Sequence, residues 1–306
     1  MTPRFSPVWI SRGIDPCIAV TLATSNPVQW CLPRRNGLST EGSAHMIASE
    51  LTELWKYREL FYFLAWRDIK IRYRQTVLGA AWAIIQPTVT MIVFSVFFGT
   101  FAQIPTDGIP HAIFYFAALL PWMYFSSNVS SCGNSLVANA NLLTKVYFPR
   151  TILPASAILS GLVDFAVGFL VLLGIMGYYR IHPGWALLLW PIFTLPLVTL
   201  SLGVGMFLAA LNARYRDIRY VTSFALQLLL FMTPIIYPIS MVPERFRFLM
   251  ALNPLAGIIA AFRSSVLPNP HVNWQLLSFS ATVGLLTLLS GYWYFRNTER
   301  TFADII

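Results

Sequence analysis

Asp164 is the one acidic residue inside the long apolar runs of this 306-residue chain, so it is the first candidate for chemistry. If these runs cross a membrane, a buried carboxylate is costly and marks a functional site such as an ion or proton relay. A relay needs a second acid, a His or a Lys in another run, and the other runs contain none. Asp164 alone is therefore a poor proton relay. Its alternatives are a hydrogen bond to a Ser, Asn or Arg of a neighbouring run, or a position near the membrane interface.

Other residue types that commonly do covalent chemistry lack the spacing that it requires. The sequence has no G-x-x-x-x-G-K-[ST] phosphate loop, no HExxH motif and no nucleophile elbow, and no Gly is followed by Lys. Three cysteines show no metal or redox spacing, and their odd number gives no disulfide framework. Four histidines lie far apart and are interpreted as loop residues. We predict a protein that is not an enzyme and has no catalytic or metal-binding residues.

The composition indicates a protein embedded in lipid. Hydrophobic residues make up 57% of the chain and charged residues 11%, against roughly 25% charged residues in soluble domains. The net charge is +9, and the cations stand in short segments between apolar runs. This arrangement favours contact with a membrane surface over binding of nucleic acid. The first 45 residues lack the sustained apolar core of a cleavable signal peptide.

Six apolar runs are long enough to cross a membrane, for which roughly 20 residues are needed. They are 77–102, 112–131, 151–178, 185–211, 221–239 and 275–295. Lys and Arg number 13 in the connections on the side of residues 46–76 and 4 on the other side. Because cytoplasmic loops carry the excess of Lys and Arg, both termini are predicted to be cytoplasmic.

The chain ahead of the first run divides into two parts. Residues 1–45 show no periodicity and are expected to be a poorly ordered extension, with Met46 as an alternative translational start. Residues 46–76 carry apolar, aromatic and cationic positions at a spacing of three to four, which predicts an amphipathic helix lying in the membrane interface. We predict a six-span domain over 77–295 and a cytoplasmic tail over 296–306.

Two cytoplasmic connections are candidates for contact with a partner protein. In the first, Leu142–Phe148 is predicted to be a short helix stopped by Pro149, and its Val146, Tyr147 and Phe148 need a place to be buried. A groove on a partner is one such place. The second connection is "NARYRDIRY", residues 212–220. Either connection could instead be a simple turn at the membrane surface.

The outer connection between runs five and six contains two apolar stretches, 244–251 and 254–266, that are too short to span. We predict two short re-entrant helices that meet at Asn253–Pro254 and cap the outer end of a passage. Arg263 ends the second stretch and needs a carbonyl, an acid such as Glu244, or a lipid phosphate. Aromatic residues crowd run two, where belts and packing account for most of them. The candidates for lining a passage and stacking on sugar rings are Tyr115, Trp122 and Tyr124.

Five stretches in order give the chain a resemblance to a known family. They are "RYRQTVLGAAWAIIQP", "LLTKVYFPRTILP", "ARYRDIRY", "TPIIYP" and "NPLAGIIAAFR". Together they resemble the type-2 ATP-binding-cassette permeases that export polysaccharides such as O-antigen, capsule and teichoic acid, over roughly residues 50–300. Two features depart from the family pattern: residues 1–45 are additional, and "AGIIAAF" is unusually apolar.

The resemblance implies an all-α integral membrane protein that works as a homodimer with two copies of a separate ATPase. That ATPase would bind ATP and Mg²⁺, and this chain would bind no cofactor and no nucleic acid. Its other partners would be a lipid-linked glycan and membrane lipids of the bacterial inner membrane. The residues implied for ATPase coupling are Leu142, Lys145, Val146, Tyr147, Phe148 and Arg150. Those of the second cytoplasmic loop are Arg214, Arg216 and Asp217, and those of the outer gate are Asn253, Pro254 and Arg263.

Two other functions fit a polytopic membrane protein. An ion-coupled secondary transporter or channel would need titratable clusters near the bilayer midplane, often on inverted repeats. A membrane-embedded transferase would need convergent acids, histidines or metal ligands at one face. The sequence has neither pattern.

Overall fold

The structure is a computed structural model that describes residues 57–74, 81–106, 108–145, 148–181, 184–215, 217–243, 245, 250, 252–267 and 272–305. Every regular element in these ranges is a helix. The α-helices are α1 (Arg58–Arg74), α2 (Trp82–Phe94), α3 (His111–Ala138), α4 (Ala140–Lys145), α5 (Ile152–Tyr178), α6 (Trp190–Arg214), α7 (Ile218–Met232), α8 (Pro254–Ser265) and α9 (Trp274–Ile305). A π-helix, Ser95–Phe101, continues α2, and 3₁₀ turns occupy Trp185–Leu189 and Ile239–Met241.

Helix α3 is the centre of the fold. It packs against α2, α5, α6, α7 and α8, and its first half is buried without interruption from Ile113 to Leu120. A helix that is apolar all round must be enclosed by other helices or by lipid. The main buried cluster therefore forms around α3, with contributions from α5, α6 and α8.

Helices α6 and α9 approach one another closely at a pair of glycines. A Cβ atom on Gly291 would collide with the backbone carbonyl of Gly203, so only glycine permits this contact. Small residues allow membrane helices to pack backbone to backbone. This contact holds α9 against the bundle.

Five helices are long and apolar enough to cross a membrane: Trp82–Phe101, His111–Ala138, Ile152–Tyr178, Trp185–Arg214 and Trp274–Glu299. The run expected over 221–239 differs, because α7 has 15 residues and ends at Met232. At 1.5 Å per residue it is about 22 Å long, short of the ~30 Å hydrocarbon core. Thr233 is extended ahead of Pro234, as expected for a residue before proline. At the other end of the chain, α9 continues helically into the predicted tail.

Helix α1 lies within the predicted interface helix, of which residues 46–56 are outside the described ranges. With 17 described residues, it is not among the helices that are long and apolar enough to span. Leu64 and Ala65 are buried, and Leu64 belongs to a second cluster with side chains of α3, α5, α6 and α9, while Tyr62 and Phe63 are exposed on the opposite face. Helix α1 thus has one face packed on the bundle and one aromatic face that is free for other surroundings.

Candidate functional site

A cavity of about 650 Å³ opens beside α3. Its walls come from α1, α2, α3 and α5, with Leu230 of α7 at one side. The polar or charged lining residues are Arg72, Tyr73, Gln86, Thr90, Ser126, Ser127, Asn128 and Asp164. The aromatic lining residues are Tyr73, Trp82, Phe94, Trp122, Tyr124 and Phe165. Aromatic faces beside hydroxyl and amide groups suit an amphipathic or sugar-like ligand.

Asp164 lies in the wall of this cavity and has two partners on α1. The Arg72 guanidinium donates to one carboxylate oxygen and the Tyr73 hydroxyl donates to the other. Burial, together with the hydrogen bond to Asp164, raises the pKa of Tyr73 to about 12. The hydroxyl therefore stays protonated and continues to donate at neutral pH. Of the alternatives for Asp164, an arginine partner is the one observed, but it comes from α1 and not from a span.

Asn128 is a lining residue that the sequence analysis did not single out. Its side chain is 1% exposed, and among the described residues neither its amide oxygen nor its amide nitrogen has a hydrogen-bond partner. The amide lies directly against Gly161 of α5, because a Cβ at that position would collide with it. A buried amide without a partner is unfavourable by the free energy of its lost hydrogen bonds with water. A carboxamide inside an apolar run was the signal available in the sequence.

The three candidate passage aromatics are placed differently. Trp122 and Tyr124 line the cavity, although each is largely buried and the Tyr124 hydroxyl donates to the Ile158 carbonyl at 3.3 Å. Tyr115 is fully buried and packs edge-to-face on Phe94 and Phe114. Tyr115 does not line this cavity and is a core residue in the structure.

The first connection predicted to be cytoplasmic forms the short helix α4, Ala140–Lys145, with Leu142 partly buried against the second cluster. Val146 and Tyr147 lie outside the described residues, as does the side chain of Lys145. The expectation that Phe148 is presented to a partner is wrong, because its side chain is 4% exposed and packs in the cluster that contains Leu64. Phe148 finds its apolar surroundings within its own chain.

Arg150 and the second loop complete the predicted cytoplasmic set. The Arg150 guanidinium donates to the Glu299 carbonyl at 2.6 Å, which ties the start of α5 to the end of α9. Arg214 ends α6 and stacks over the Tyr215 ring at 5.3 Å. Asp217 caps α7 through its backbone, and Arg216 is outside the described residues.

The predicted outer-gate residues hold one irregular segment, Thr233–Tyr237. Asn253 caps α8 by accepting from the Leu255 amide at 3.1 Å, and its own amide donates to Thr233 Oγ1 at 2.9 Å. Pro254 occupies the first turn of α8, where its missing N–H is not needed.

Arg263 lies at the other end of α8 and reaches the same segment. It donates to the Ile235 carbonyl at 2.9 Å and to the Tyr237 carbonyl at 3.4 Å. Its guanidinium also lies 3.8 Å from the centre of the Phe114 ring. Backbone carbonyls, one of the three kinds of partner considered for Arg263, are thus observed, whereas Glu244 lies outside the described residues. Of 244–251, the structure describes only residues 245 and 250, so the first predicted outer helix stays untested.

Comparison with known proteins decides the family. The family model described as ABC-2 type transporter matches residues 59–267, which is more than half of the chain. The chain belongs to the ABC-2 type transporter family. The matched region includes nearly all of α1, the residues that line the cavity, and α8, whereas α9 lies beyond it.

Curated ABC-2 relatives are similar over most of their length. The chain is 32% identical over 257 residues to the O-antigen export system permease protein RfbA of Myxococcus xanthus, covering 83% of this chain and 98% of that protein. It is 27% identical over 250 residues to a protein of the same name from Klebsiella pneumoniae, covering 81% and 95%. The polysialic acid transport protein KpsM of Escherichia coli is 26% identical over 238 residues, covering 76% and 91%. These relatives are named as permeases and transport proteins. Family membership together with these similarities confirms the prediction that the chain is a permease and a multi-pass membrane protein.

Proposed function

We propose that this chain is the membrane-spanning subunit of an ATP-driven exporter that moves a lipid-linked polysaccharide across the bacterial cytoplasmic membrane. The observation that carries this proposal is the similarity to O-antigen export permeases along nearly their whole length. A relative named for polysialic acid transport supports a polysaccharide as the class of substrate.

The cavity supports the same function. Its volume of about 650 Å³ is within the ~300–1,000 Å³ typical of ligand sites. Trp122 and Tyr124 offer aromatic surface, while Gln86 and Ser127 offer groups that can bond to hydroxyls. Such a lining can accept successive sugars without demanding one particular sugar.

We propose a homodimer in which a second copy closes the open side of the cavity. The exposed apolar faces of α2 and α7 support this arrangement, because both helices border the cavity. The large exposed side chains include Val89 and Ile92 on α2, Val96 on the π-helix that continues it, and Phe224, Leu228 and Phe231 on α7. Each permease subunit would contact one ATPase through α4 and the loop at Asp217, with ATP and Mg²⁺ bound by the ATPase. Both termini would lie in the cytoplasm.

The test is reconstitution of the chain with the phosphate-loop ATPase encoded nearest to its gene. The two proteins should copurify, and the proteoliposomes should translocate lipid-linked glycan only when ATP is present. An ATPase variant lacking its phosphate-loop Lys is the matched control, since it retains assembly but not hydrolysis. Failure to copurify, together with dissipation of an imposed ion gradient by the chain alone, would support the ion-coupled transporter or channel instead.

A further inference from the structure

The contact between α1 and α5 has two parts with different chemistry. Near the start of α5, Ile152 and Leu153 share a buried apolar cluster with Leu64 of α1. Farther along, the contact is polar and consists of Arg72 and Tyr73 on Asp164. The side chains of Arg72 and Asp164 are 31% and 30% exposed, so this end of the contact borders the open cavity and is not enclosed by the core. It can therefore be released without unpacking the apolar cluster that holds the other end of α1.

Release of this contact would change the cavity itself. Arg72, Tyr73 and Asp164 are all lining residues, and α1 precedes α2, which forms another wall. A shift of α1 would therefore widen or narrow the cavity beside Trp82. The position of α1 and the shape of the cavity are mechanically linked.

A carboxylate on a membrane-spanning helix needs another donor once α1 has moved. The Asn128 amide is in place for this role, because it lies against Gly161, one helical turn before Asp164. Side chains three residues apart on a helix are neighbours. Asn128 also has an amide N–H₂ group without a partner among the described residues. After α1 has moved, the Asp164 carboxylate lacks its donors and the Asn128 amide lacks an acceptor, and both residues line the same cavity.

We infer that Asp164 is a switchable joint, which ties α5 to α1 through Arg72 and Tyr73 and takes the Asn128 amide as its partner when α1 moves during transport. The inference rests on the proposed export function for its role in coupling, but the tie between α1 and α5 is independent of it. Asp164, Arg72, Tyr73 and Asn128 are positioning residues. They set the shape of the cavity without needing to touch the substrate.

The first experiment measures hydrogen–deuterium exchange of α1 amides in the reconstituted complex. Asp164→Asn should accelerate exchange at the C-terminal half of α1, and lower glycan export per ATP hydrolysed, on the order of fivefold or more. Arg67→Gln is the matched control, because Arg67 pairs with Asp68 on the same helix at 2.8 Å and should leave both measurements unchanged. The double variant Arg72→Asp with Asp164→Arg should restore slow exchange. The inference that Asp164 joins α5 to α1 would be overturned if Asp164→Asn left the hydrogen–deuterium exchange rate of α1 unchanged. It would also be overturned if the folded double variant did not regain slow exchange.

The second experiment separates the exchange of partners from a structural role of Asn128. Asn128→Leu removes a buried amide without a partner, so a purely structural role predicts equal or higher stability with normal export. If Asn128 is the second partner of Asp164, we expect equal or higher stability and a wild-type rate of hydrogen–deuterium exchange in α1 of the resting complex. We also expect glycan export per ATP hydrolysed to fall on the order of fivefold. Wild-type export by Asn128→Leu would overturn the inference that Asp164 takes Asn128 as its partner when α1 moves. If even the wild-type complex does not export glycan, the proposed function fails. Hydrogen–deuterium exchange of α1 in Asp164→Asn would then still test whether Asp164 ties α5 to α1.

Discussion

Arg263 illustrates how a single charge is accommodated beside an apolar helix. Its guanidinium meets two backbone carbonyls and the face of Phe114, so its interactions fasten α8 to the segment after α7. A residue bound in this way stabilises the fold, whatever it contributes to transport. The carbonyls of Ile235 and Tyr237 would lose these donors if the arginine were shortened.

We expect Arg263→Gln to lower the stability of the purified protein and its export in parallel. Loss of hydrogen bonds from a charged group costs about 1.5–3 kcal/mol, which should appear as a lower Tm in detergent. Arg180→Gln is the control, because Arg180 is an exposed cation that lies outside both connections predicted to contact the ATPase. Normal Tm with abolished export would contradict this structural role and favour a phosphate partner.

The sequence identifies the unusual residues and the kinds of partner that they need, but it does not show which residues supply those partners. Asp164 and Arg263 could be identified because charges next to apolar runs are costly, which is a property of local sequence. The partners of Asp164 are 91 and 92 residues away, and those of Arg263 are 26 and 28 residues away. Such pairings depend on how helices pack, so periodicity cannot reveal them. Tyr115 is a similar case: its part of α3 is apolar on every side, so the sequence alone does not show whether its side chain lines a passage or packs in the core.

At the scale of elements, the segment after α4 contains two neighbouring aromatic residues to which we assign different roles. Phe148 is buried against the chain's own helices, while docking of the ATPase by Tyr147 stays a prediction. Phe148→Ala should lower the free energy of unfolding by about 3 kcal/mol or more, as for other buried aromatics. Tyr147→Ser should reduce copurification of the ATPase without lowering Tm. Equal loss of complex by both variants at unchanged Tm would contradict the division.

Element positions were predictable wherever an apolar run was long and uninterrupted. Five of the six expected spans correspond to helices long enough to cross a membrane, and Pro254 was recognised at the start of a short outer helix. The fifth run, 221–239, corresponds to a shorter apolar helix, because hydropathy continues through Ile235 and Ile236 after the helix has ended before Pro234. Composition reports apolar length, whereas backbone geometry decides how much of that length is helical.

Helix α8 is the element predicted to close the outer end of the passage. Asn253 itself caps α8 and binds Thr233, so a cysteine there would disturb the structure. Leu252 is 62% exposed and suits a cross-link better. In a cysteine-free dimer, oxidised Leu252→Cys should stop export and reduction should restore it. Continued export by a fully cross-linked dimer would place the exit elsewhere.

At the scale of the whole molecule, the cavity is formed where α1, α2, α3 and α5 meet, and no single element contains it. Its residues are dispersed from 72 to 230, which is why sequence analysis identified some aromatic members but not the site. The proposed transport path makes the cavity an obligatory passage. A large side chain placed there should then obstruct the substrate and leave the proposed ATPase contact at α4 intact.

Ser127 offers the cleanest position for this obstruction. It lines the cavity and is itself exposed, so Ser127→Trp should fill the space without overpacking the core. We expect glycan export to fall on the order of tenfold or more with Tm unchanged, and ATP hydrolysis to persist because the barrier acts on substrate movement. Ser278→Trp is the matched control, since Ser278 is an exposed serine on α9 that does not line the cavity. Assays with glycans of decreasing length separate obstruction from misfolding: a partly blocked passage should admit short chains before long ones, whereas a misfolded permease should lose all lengths alike. Wild-type export of long chains by Ser127→Trp would mean that the glycan does not pass through this cavity.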